Sequence, residues 1–595
     1  MPLHVPAAYA LVVVAFILLV SLPFATDYVG PDNDDTMRLV IVRDLLSGQG
    51  WFDNMQYRLG LAGGTPMHWS RMVDLPIANL ISLFGLATGQ ERAEALALAV
   101  WPLLLTVPLL YGAGLAGLRI GGPPAMHAAL VLTAVFAVAV NRFQPGSIDH
   151  HNVQLVLVSL LAAMLLDPTH RARSYGMAGF LSGLAIAIGA ETVPLIGVAC
   201  LTVALRWAWI GAAFRHAATT FGLSLAATVS AAFFATVAPW RYGEITCDSL
   251  SYGFYALSTF GGGILFLTVA LASDLGRRGR FAALAGAGIA VAVAVLIIAP
   301  GCLRNPLVDL DPLLKTFWLS GVMEAQSAAA QFRIDPGSLG AYYGPGLLAI
   351  SVCCLRIWRR EAMQAHLVLM ALILCSFTIS LVQIRGAVFT NLLSAIPLAF
   401  AISQLRQAAK ARPGDIAVGL GFAVMTIASV PASWAVAGLV VPGPSRDRLV
   451  ADLASAASIP ACTSRDAMAE LAAEPAGVVA ASSDIGAPVL RFTAHRVLSA
   501  PYHRNQGGML TEIHIGLSGP EQAEAFLRGA GVTLLAFCPS DGQVRTLAHA
   551  EPEGLYAQLL ASDIPAYLEP VKGTTALRIF RLRPEDHTAA MRIAD

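Results

Sequence analysis

The sequence predicts a polytopic α-helical membrane protein of about thirteen spans, followed by an extracytoplasmic α/β domain. Three observations predict it. Apolar residues fill 56% of the 595 positions and charged residues only 13%, with a mean hydropathy of +0.65. A soluble domain carries roughly 25% charge. Apolar stretches long enough for a ~30 Å hydrocarbon core recur throughout residues 1–440. Arginines, finally, are segregated to alternate turns between those stretches. Lys and Arg number 38, as do Asp and Glu, so no global basic field points to nucleic acid as a partner.

The predicted spans are 7–25, 93–118, 124–141, 152–167, 176–189, 192–210, 217–238, 255–273, 281–299, 340–357, 365–383, 387–405 and 416–440. The first lacks a basic leader and a clear cleavage site, so it reads as a retained helix. With the N-terminus inside, the inner turns carry Arg119, Arg171, Arg173, Arg206, Arg215, Arg277, Arg278, Arg280, Arg356, Arg359, Arg360, Arg406, Lys410 and Arg412. The short outer turns carry only Arg142, Arg241 and Arg385. This is the positive-inside pattern. An odd number of spans then puts the tail outside, which divides the chain into a transmembrane unit, 1–440, and a periplasmic α/β unit, 441–595. The expected location is an inner (cytoplasmic) membrane.

Cysteines agree with that sidedness. Cys200, Cys353, Cys354 and Cys375 fall in apolar spans, where Cys is a small buried hydrophobe. Cys247, Cys302, Cys462 and Cys538 all fall outside, in an oxidising space. Pairing Cys247 with Cys302 and Cys462 with Cys538 is the simplest connectivity, although sequence leaves the others open.

Two outer loops, 26–92 and 300–339, are too long to be turns and so are expected to be functional. The first contains a helical pattern, with apolar Met37, Leu39, Val40, Val42, Leu45 and Leu46 against polar Arg38, Arg43 and Asp44. That predicts a short amphipathic helix lying at the membrane interface. Leu75 to Gly89 predicts a re-entrant or interfacial helix. In the tail, strand-like runs (Val478–Ala481, Val497–Ala500, Val532–Phe537, Ala576–Leu582) alternate with helical ones (Asp466–Ala473, Pro520–Gly529, Leu555–Ala561). This order predicts a small, mostly parallel sheet.

Acids on the outer face gather in three places. Asp32, Asp34 and Asp35 open the first loop; Asp149, His150, His151 and Asn152 start the fourth span; Glu324 sits in Ser320-Gly321-Val322-Met323-Glu324-Ala325-Gln326. Hard oxygen ligands with imidazole suit Mg²⁺ or Mn²⁺. Ionisable groups at membrane depth are functional candidates because their desolvation is costly. Each also has a plain structural reading: a helix start favouring acids for Asp32 to Asp35, an N-cap for Asp149, a surface position for Glu324. Their co-occurrence on one face favours the functional reading.

On these residues the chain resembles the GT-C class of integral-membrane glycosyltransferases, and most of all the catalytic subunit of oligosaccharyltransferase. In bacterial and archaeal members an Asn-Asp pair in the first outer loop is followed by Arg-Asp, matched here by Asn33-Asp34 and Arg43-Asp44. Asp149-His150-His151 matches the second motif, after the third span. Ser320 to Gln326 loosely matches a loop motif of the Ser-Val-x-Glu-x-Gln type. Arg385 occupies the place of an Arg that grips the lipid phosphate. Thirteen spans followed by an outer α/β domain is the same plan.

The resemblance implies a divalent cation, Mn²⁺ or Mg²⁺, held by Asp34, Asp149 and His151 with Glu324 as a further ligand. The cation would neutralise the departing phosphate or diphosphate of a polyprenyl-linked sugar donor, with Arg385 adding a charge-assisted contact. Asp32 or Asp35 would orient or deprotonate the acceptor. Other GT-C enzymes need no metal and use one first-loop Asp as base, which would make Asp-His-His a polar network. Where the family carries Trp-Trp-Asp-Tyr-Gly to read a glycosylation sequon, this chain has Ser482-Ser483-Asp484-Ile485-Gly486. With both indoles and the Tyr gone, no sequon pocket is expected. The acceptor is then open between a glycan, a lipid and a protein.

Acceptor or sugar contacts are expected from Asp484, from His68 and Trp69 in Pro66-Met67-His68-Trp69, and from His503 in Tyr502-His503-Arg504-Asn505. An aromatic face can stack on a pyranose, but Trp69 could equally be a packed interfacial residue and the His503 segment an ordinary polar loop. Glu191 is expected to line the cavity. Two other classes compete. A transporter or flippase of lipid-linked saccharides would show internal repeats and midplane charge, and none is evident. A non-catalytic scaffold with a periplasmic binding domain leaves the acids unexplained.

Overall fold

The computed structural model describes residues 1–304, 307, 309–447, 462–571 and 576–584. The expected junction between the two units runs into 448–461, outside the described residues. Up to Gly438 the chain is helical: α1 (His4–Ser21), α2 (Asn33–Leu46), α3 (Arg71–Gly85), α4 (Gln90–Ala139), α5 (His151–Leu165), α6 (Ala172–Ile188), α7 (Val193–Ile210), α8 (Arg215–Thr236), α9 (Tyr252–Ala272), α10 (Arg277–Ile298), α11 (Pro312–Phe317), α12 (Ala328–Ile334), α13 (Leu339–Trp358), α14 (Met363–Val382), α15 (Gly386–Ala411), α16 (Ile416–Ala428) and α17 (Pro431–Gly438).

Among the described residues eight helical runs are long and apolar enough to cross a membrane, and the bent pair α16–α17 makes up to nine. This is a multi-pass membrane protein. The number differs from thirteen because of where helical runs divide. α4 has 50 residues, about 75 Å at 1.5 Å per residue, too long for one crossing. It breaks at Gly121 and at Gly122, whose φ of 72° lies in the left-handed region that favours glycine. α7 and α8 likewise count as one run, interrupted at Gly211 with φ 82°. α5 and α6, with 15 and 17 residues, fall short of a full span. Burial sorts the bundle. In α15 the apolar window is 89% buried, whereas in α10, which packs chiefly against α7 and α9, none of it is, so α15 is the centre of the bundle and α10 lies at its edge.

The tail forms β3 (Val478–Ala480), β4 (Arg496–Val497), β5 (Val532–Phe537), β6 (Leu568–Pro570) and β7 (Arg578–Leu582), in the order β4-β3-β5-β7-β6. The mostly parallel sheet expected from sequence is instead mixed: β3 pairs in parallel with β4 and β5, while β7 runs antiparallel to β5 and β6. The seven residues 571–577 between β6 and β7 are too few for a parallel crossover, which needs roughly a dozen. The expected helices appear at Arg465–Ala472, Pro520–Gly529 and Leu555–Leu560, joined by helices at Ser483–Phe492, Gln506–Leu517 and Gly542–Ala550. Disulfides join Cys247 to Cys302 and Cys462 to Cys538, with Cα–Cα distances of 5.2 and 6.0 Å; the four cysteines of the spans are free.

α2 departs from its expected place. It does not lie on a membrane surface with a wet polar face: Asp35 through Val42 are all buried, between α3 and the tail helix Ser483–Phe492. A buried helix with charges on it must pair them, and Arg38, wholly buried, does so with Asp74 at 2.8 Å and Asp149 at 3.4 Å. The rest of the first loop forms a two-stranded ribbon, β1 (Met55–Gln56) with β2 (Thr65–Pro66), and then joins the tail sheet. Gly60 N–H donates to Val497 O and Val497 N–H to Arg58 O, both at 2.8 Å.

Candidate active site

Asp32 ends the approach to α2 and caps it, accepting the Asp34 N–H at 3.1 Å. Capping turns the Asp32 carboxylate back on the helix, while that of Asp34, the second residue of the helix, accepts no hydrogen bond among the described residues. Burial and the carboxylates of Asp149 and Asp32 push Asp34 well above the usual carboxylate range. Asp35 faces the other way. Its Oδ1 accepts the N–H groups of Ile148 at 2.7 Å and Asp149 at 2.8 Å, while burial and the neighbouring Asp32 and Asp149 raise its pKa to about 8.

Asp149 is not the cap of α5; His150 occupies that position. Asp149 Oδ1 lies 2.6 Å from His150 Nδ1, and Oδ2 contacts His151 Nδ1. Burial works to raise the Asp149 pKa, yet the two imidazoles hold it well below the usual range. Burial likewise works to lower His150, and Asp149 with Glu191 reverses this and raises it to about 10. Glu191 sits 3.4 Å from His150 Nε2.

Glu324 comes in from the second long loop. Arg142 joins it to Asp32, with Asp32 at 2.9 Å. The loop is fixed to the turn before α15, since Arg385 N–H donates to Glu324 O at 3.1 Å and Ile384 N–H to Gln326 O at 2.9 Å. Asp34, Asp149, Glu324 and Arg385 therefore meet in one region, from four distant stretches of chain. Two cavities flank it. One of about 430 Å³ is lined by Asp34, Glu324, Trp318, Asp484 and Gln543. The other, of about 400 Å³, is lined by Arg385, Glu191 and His68 and by apolar Leu195, Ile379 and Phe389.

The remaining predicted residues fall in two settings. Asp484 accepts Asn33 Nδ2 at 3.1 Å, opposite the start of α2, and burial with Asp541 and Asp32 raises it to about 6. Trp69 is packed: 5% exposed, it carries the Arg38 guanidinium 4.4 Å above its ring and meets Tyr502 edge-on at 5.4 Å. The His68 and His503 rings lie tilted against one another, centroids 4.7 Å apart, and group with Asp248. Arg38, Asp74, Arg142 and Asp248 had no motif to announce them. A charge inside a predicted helix, such as Arg38, or at i,i+3 opening an apolar one, as Arg71 and Asp74, was the signal available.

The fold, from the first span to the tail sheet, can be set beside solved structures. This chain resembles an archaeal oligosaccharyltransferase in fold. The structure of AglB from Archaeoglobus fulgidus, in complex with an inhibitory peptide and a dolichol-phosphate, superposes with a TM-score of 0.64 at 14% identity, covering 95% of this chain and 72% of that one. The Archaeoglobus fulgidus oligosaccharyltransferase in complex with zinc and sulfate gives 0.62 at 14% identity, over 97% and 74% of the two chains. The same enzyme tethered to an acceptor peptide containing the NVT sequon gives 0.62 at 14%, over 98% and 74%. No protein-family model matches the chain and no curated protein matches it by sequence.

A divalent cation is compatible with this donor set. Asp149, His150 and His151 offer ligand atoms within 4.8 Å of one another. His151 Nε2 is buried without a hydrogen-bond partner, and the unpaired Asp34 carboxylate is crowded by others. Uncompensated negative charge beside an orphaned imidazole nitrogen is what a cation relieves.

Proposed function

We propose that this protein is a glycosyltransferase of the inner membrane that moves a sugar or glycan from a polyprenyl-phosphate or polyprenyl-diphosphate donor to an acceptor on the periplasmic side. The observation that carries this reading is the Asp34 carboxylate, unpaired and crowded by Asp149, between two cavities of different character. Dividing the two long helical runs at their glycines and admitting α5, α6 and the bent pair gives thirteen crossings, which supports an outer site and a periplasmic tail. Arginine placement and both disulfides favour the same sidedness.

The cavity with Leu195, Ile379 and Phe389 suits a prenyl chain entering from membrane lipid, with the donor phosphate at Arg385. The cavity with Asp484 and Gln543 suits the acceptor. Ser483 holds Gln543 Oε1 through both its N–H and its Oγ at 2.9 Å. Trp318 also lines this cavity, but the Ser482-Ser483-Asp484-Ile485-Gly486 stretch supplies no indole, which favours a glycan, lipid or protein acceptor read without a sequon pocket.

A Mn²⁺ or Mg²⁺ ion held by Asp34, Asp149, His151 and Glu324 would supply Lewis-acid neutralisation of the leaving phosphate. Arg385 binds the phosphate as the bond from sugar C1 to phosphate oxygen breaks. The acceptor atom bonds to C1, and its proton passes to an acid at the start of α2. Asp32, which lines the acceptor cavity and is partly exposed, is the carboxylate this reading assigns to that step; Asp35, occupied by backbone N–H groups, is a positioning residue. His150 holds Asp149 ionised.

The test is transfer from a radiolabelled polyprenyl-linked donor by purified protein. Asp34→Asn and Asp149→Asn each keep shape and remove one charge, and each is expected to lower the rate at least ~100-fold. Chelator should do the same, with recovery on Mn²⁺. Wild-type transfer rates in both variants would remove this acidic centre from the reaction, and no transfer by the wild-type protein would leave the reading of a membrane scaffold.

A further inference from the structure

We propose that His68, Asp248 and His503 form a zinc site, distinct from the acidic centre at Asp34 and Asp149, that clamps the C-terminal domain onto the membrane-embedded part. The three residues come from the first loop, the α8–α9 loop and the tail, yet their ligand atoms lie within 4.8 Å of one another. His503 Nε2 is 2.7 Å from Asp248 Oδ2, and the His68 ring lies against His503. His68 Nδ1 is buried and has no hydrogen-bond partner. An imidazole nitrogen stranded there is costly unless something ligates it.

The donor set decides the metal. Two imidazoles and one carboxylate are a borderline-soft set of three donors that suits Zn²⁺, with the fourth position left open toward the cavity. The oxygen-rich centre at Asp34 is harder. In the clamp the ion replaces the proton that His503 shares with Asp248. Its surroundings are built to hold the carboxylate still. Arg504 grips both Asp248 oxygens, at 2.8 and 2.6 Å, and the adjacent Cys247 is tied to Cys302. Such outer partners orient a ligand, and Glu191 on the same cavity wall offsets part of the added charge.

The consequence is mechanical. Tyr502, next to His503, donates its hydroxyl to Asn33 O at 3.0 Å, so fixing His503 fixes the tail segment seated on the start of α2. The clamp needs no assumption about the reaction.

The experiment uses full-length protein in detergent, stripped with chelator and then titrated with Zn²⁺ or Co²⁺. Zinc is counted by elemental analysis, and Co²⁺ is read by its visible d–d absorption. His503→Gln keeps a donor for Asp248 but loses the imidazole, and His68→Gln gives a second, independent probe. Both are expected to lose about one equivalent of zinc and the tetrahedral Co²⁺ band, while Asp34→Asn keeps both. Equal zinc in wild type, His503→Gln and His68→Gln would overturn the proposal and leave an ion-pair latch. So would loss of the band in Asp149→Asn but not in His503→Gln, which puts the metal at the other group.

Discussion

Asp35 holds the backbone of Asp149: a single carboxylate oxygen takes the N–H groups of both Ile148 and Asp149, at 2.7 and 2.8 Å. The loop that presents Asp149, His150 and His151 is thus hung from the same helix turn that presents Asp34. The two halves of the acidic centre cannot drift apart without breaking these bonds.

Asp35→Ala should cost about 1–3 kcal/mol, the penalty for stranding buried donors, whereas Asp35→Asn keeps an acceptor oxygen. The pH dependence has a definite sign. With its pKa raised from 3.8 to about 8, Asp35 contributes stability that is full below 3.8 and is lost as pH rises through about 8. The Tm of Asp35→Asn relative to wild type should therefore climb between pH 5 and pH 9. A flat or falling difference would mean that Asp35 is ionised in the fold.

Arg38→Met should be among the most damaging changes outside the spans, lowering stability by about 3–5 kcal/mol, because it leaves the buried Asp74 only its longer contact with Arg71 at 3.4 Å and weakens the hold on Asp149. Removing both charges in Arg38→Met with Asp74→Leu should recover part of the loss. Denaturation of the single and double variants gives the coupling; simple additivity would deny the buried pair.

Arg58 closes the tail helix Ser483–Phe492, donating to Leu490 O at 2.8 Å and Thr493 O at 3.0 Å. Arg58→Ala should speed hydrogen exchange at residues 490–497 while leaving β5 protected, and should cost about 1.5–3 kcal/mol. Uniform loosening of the tail would show that the first loop does not clamp it locally.

Sidedness is checked by labelling. In a cysteine-replaced background, Arg359→Cys should resist an impermeant maleimide in intact cells until lysis, and Glu521→Cys should react at once. Non-reducing peptide maps should recover Cys247 with Cys302 and Cys462 with Cys538. Removing the second pair should destabilise the tail by about 2–5 kcal/mol.

Local chemistry carried much of this molecule. Apolar runs mark spans because lipid cannot hydrogen-bond an exposed backbone, and the glycine break of α4 sits where the arginine-bearing turn was expected. Short apolar and polar alternations located β3 and β5, and Asn33-Asp34 and Asp149-His150-His151 stood out because charge is rare at membrane depth. Periodicity misplaced α2, since a polar stripe that meets buried partners has the same spacing as one that meets water. It also could not set strand direction, which depends on the length of the β6–β7 connection. Pairings across more than a hundred residues, such as Arg38 with Asp149, Arg142 with Glu324 and His503 with Asp248, have no sequence period at all. They exist because the folded chain buries charges that must find partners, and only the packing of distant loops decides which partner each one meets.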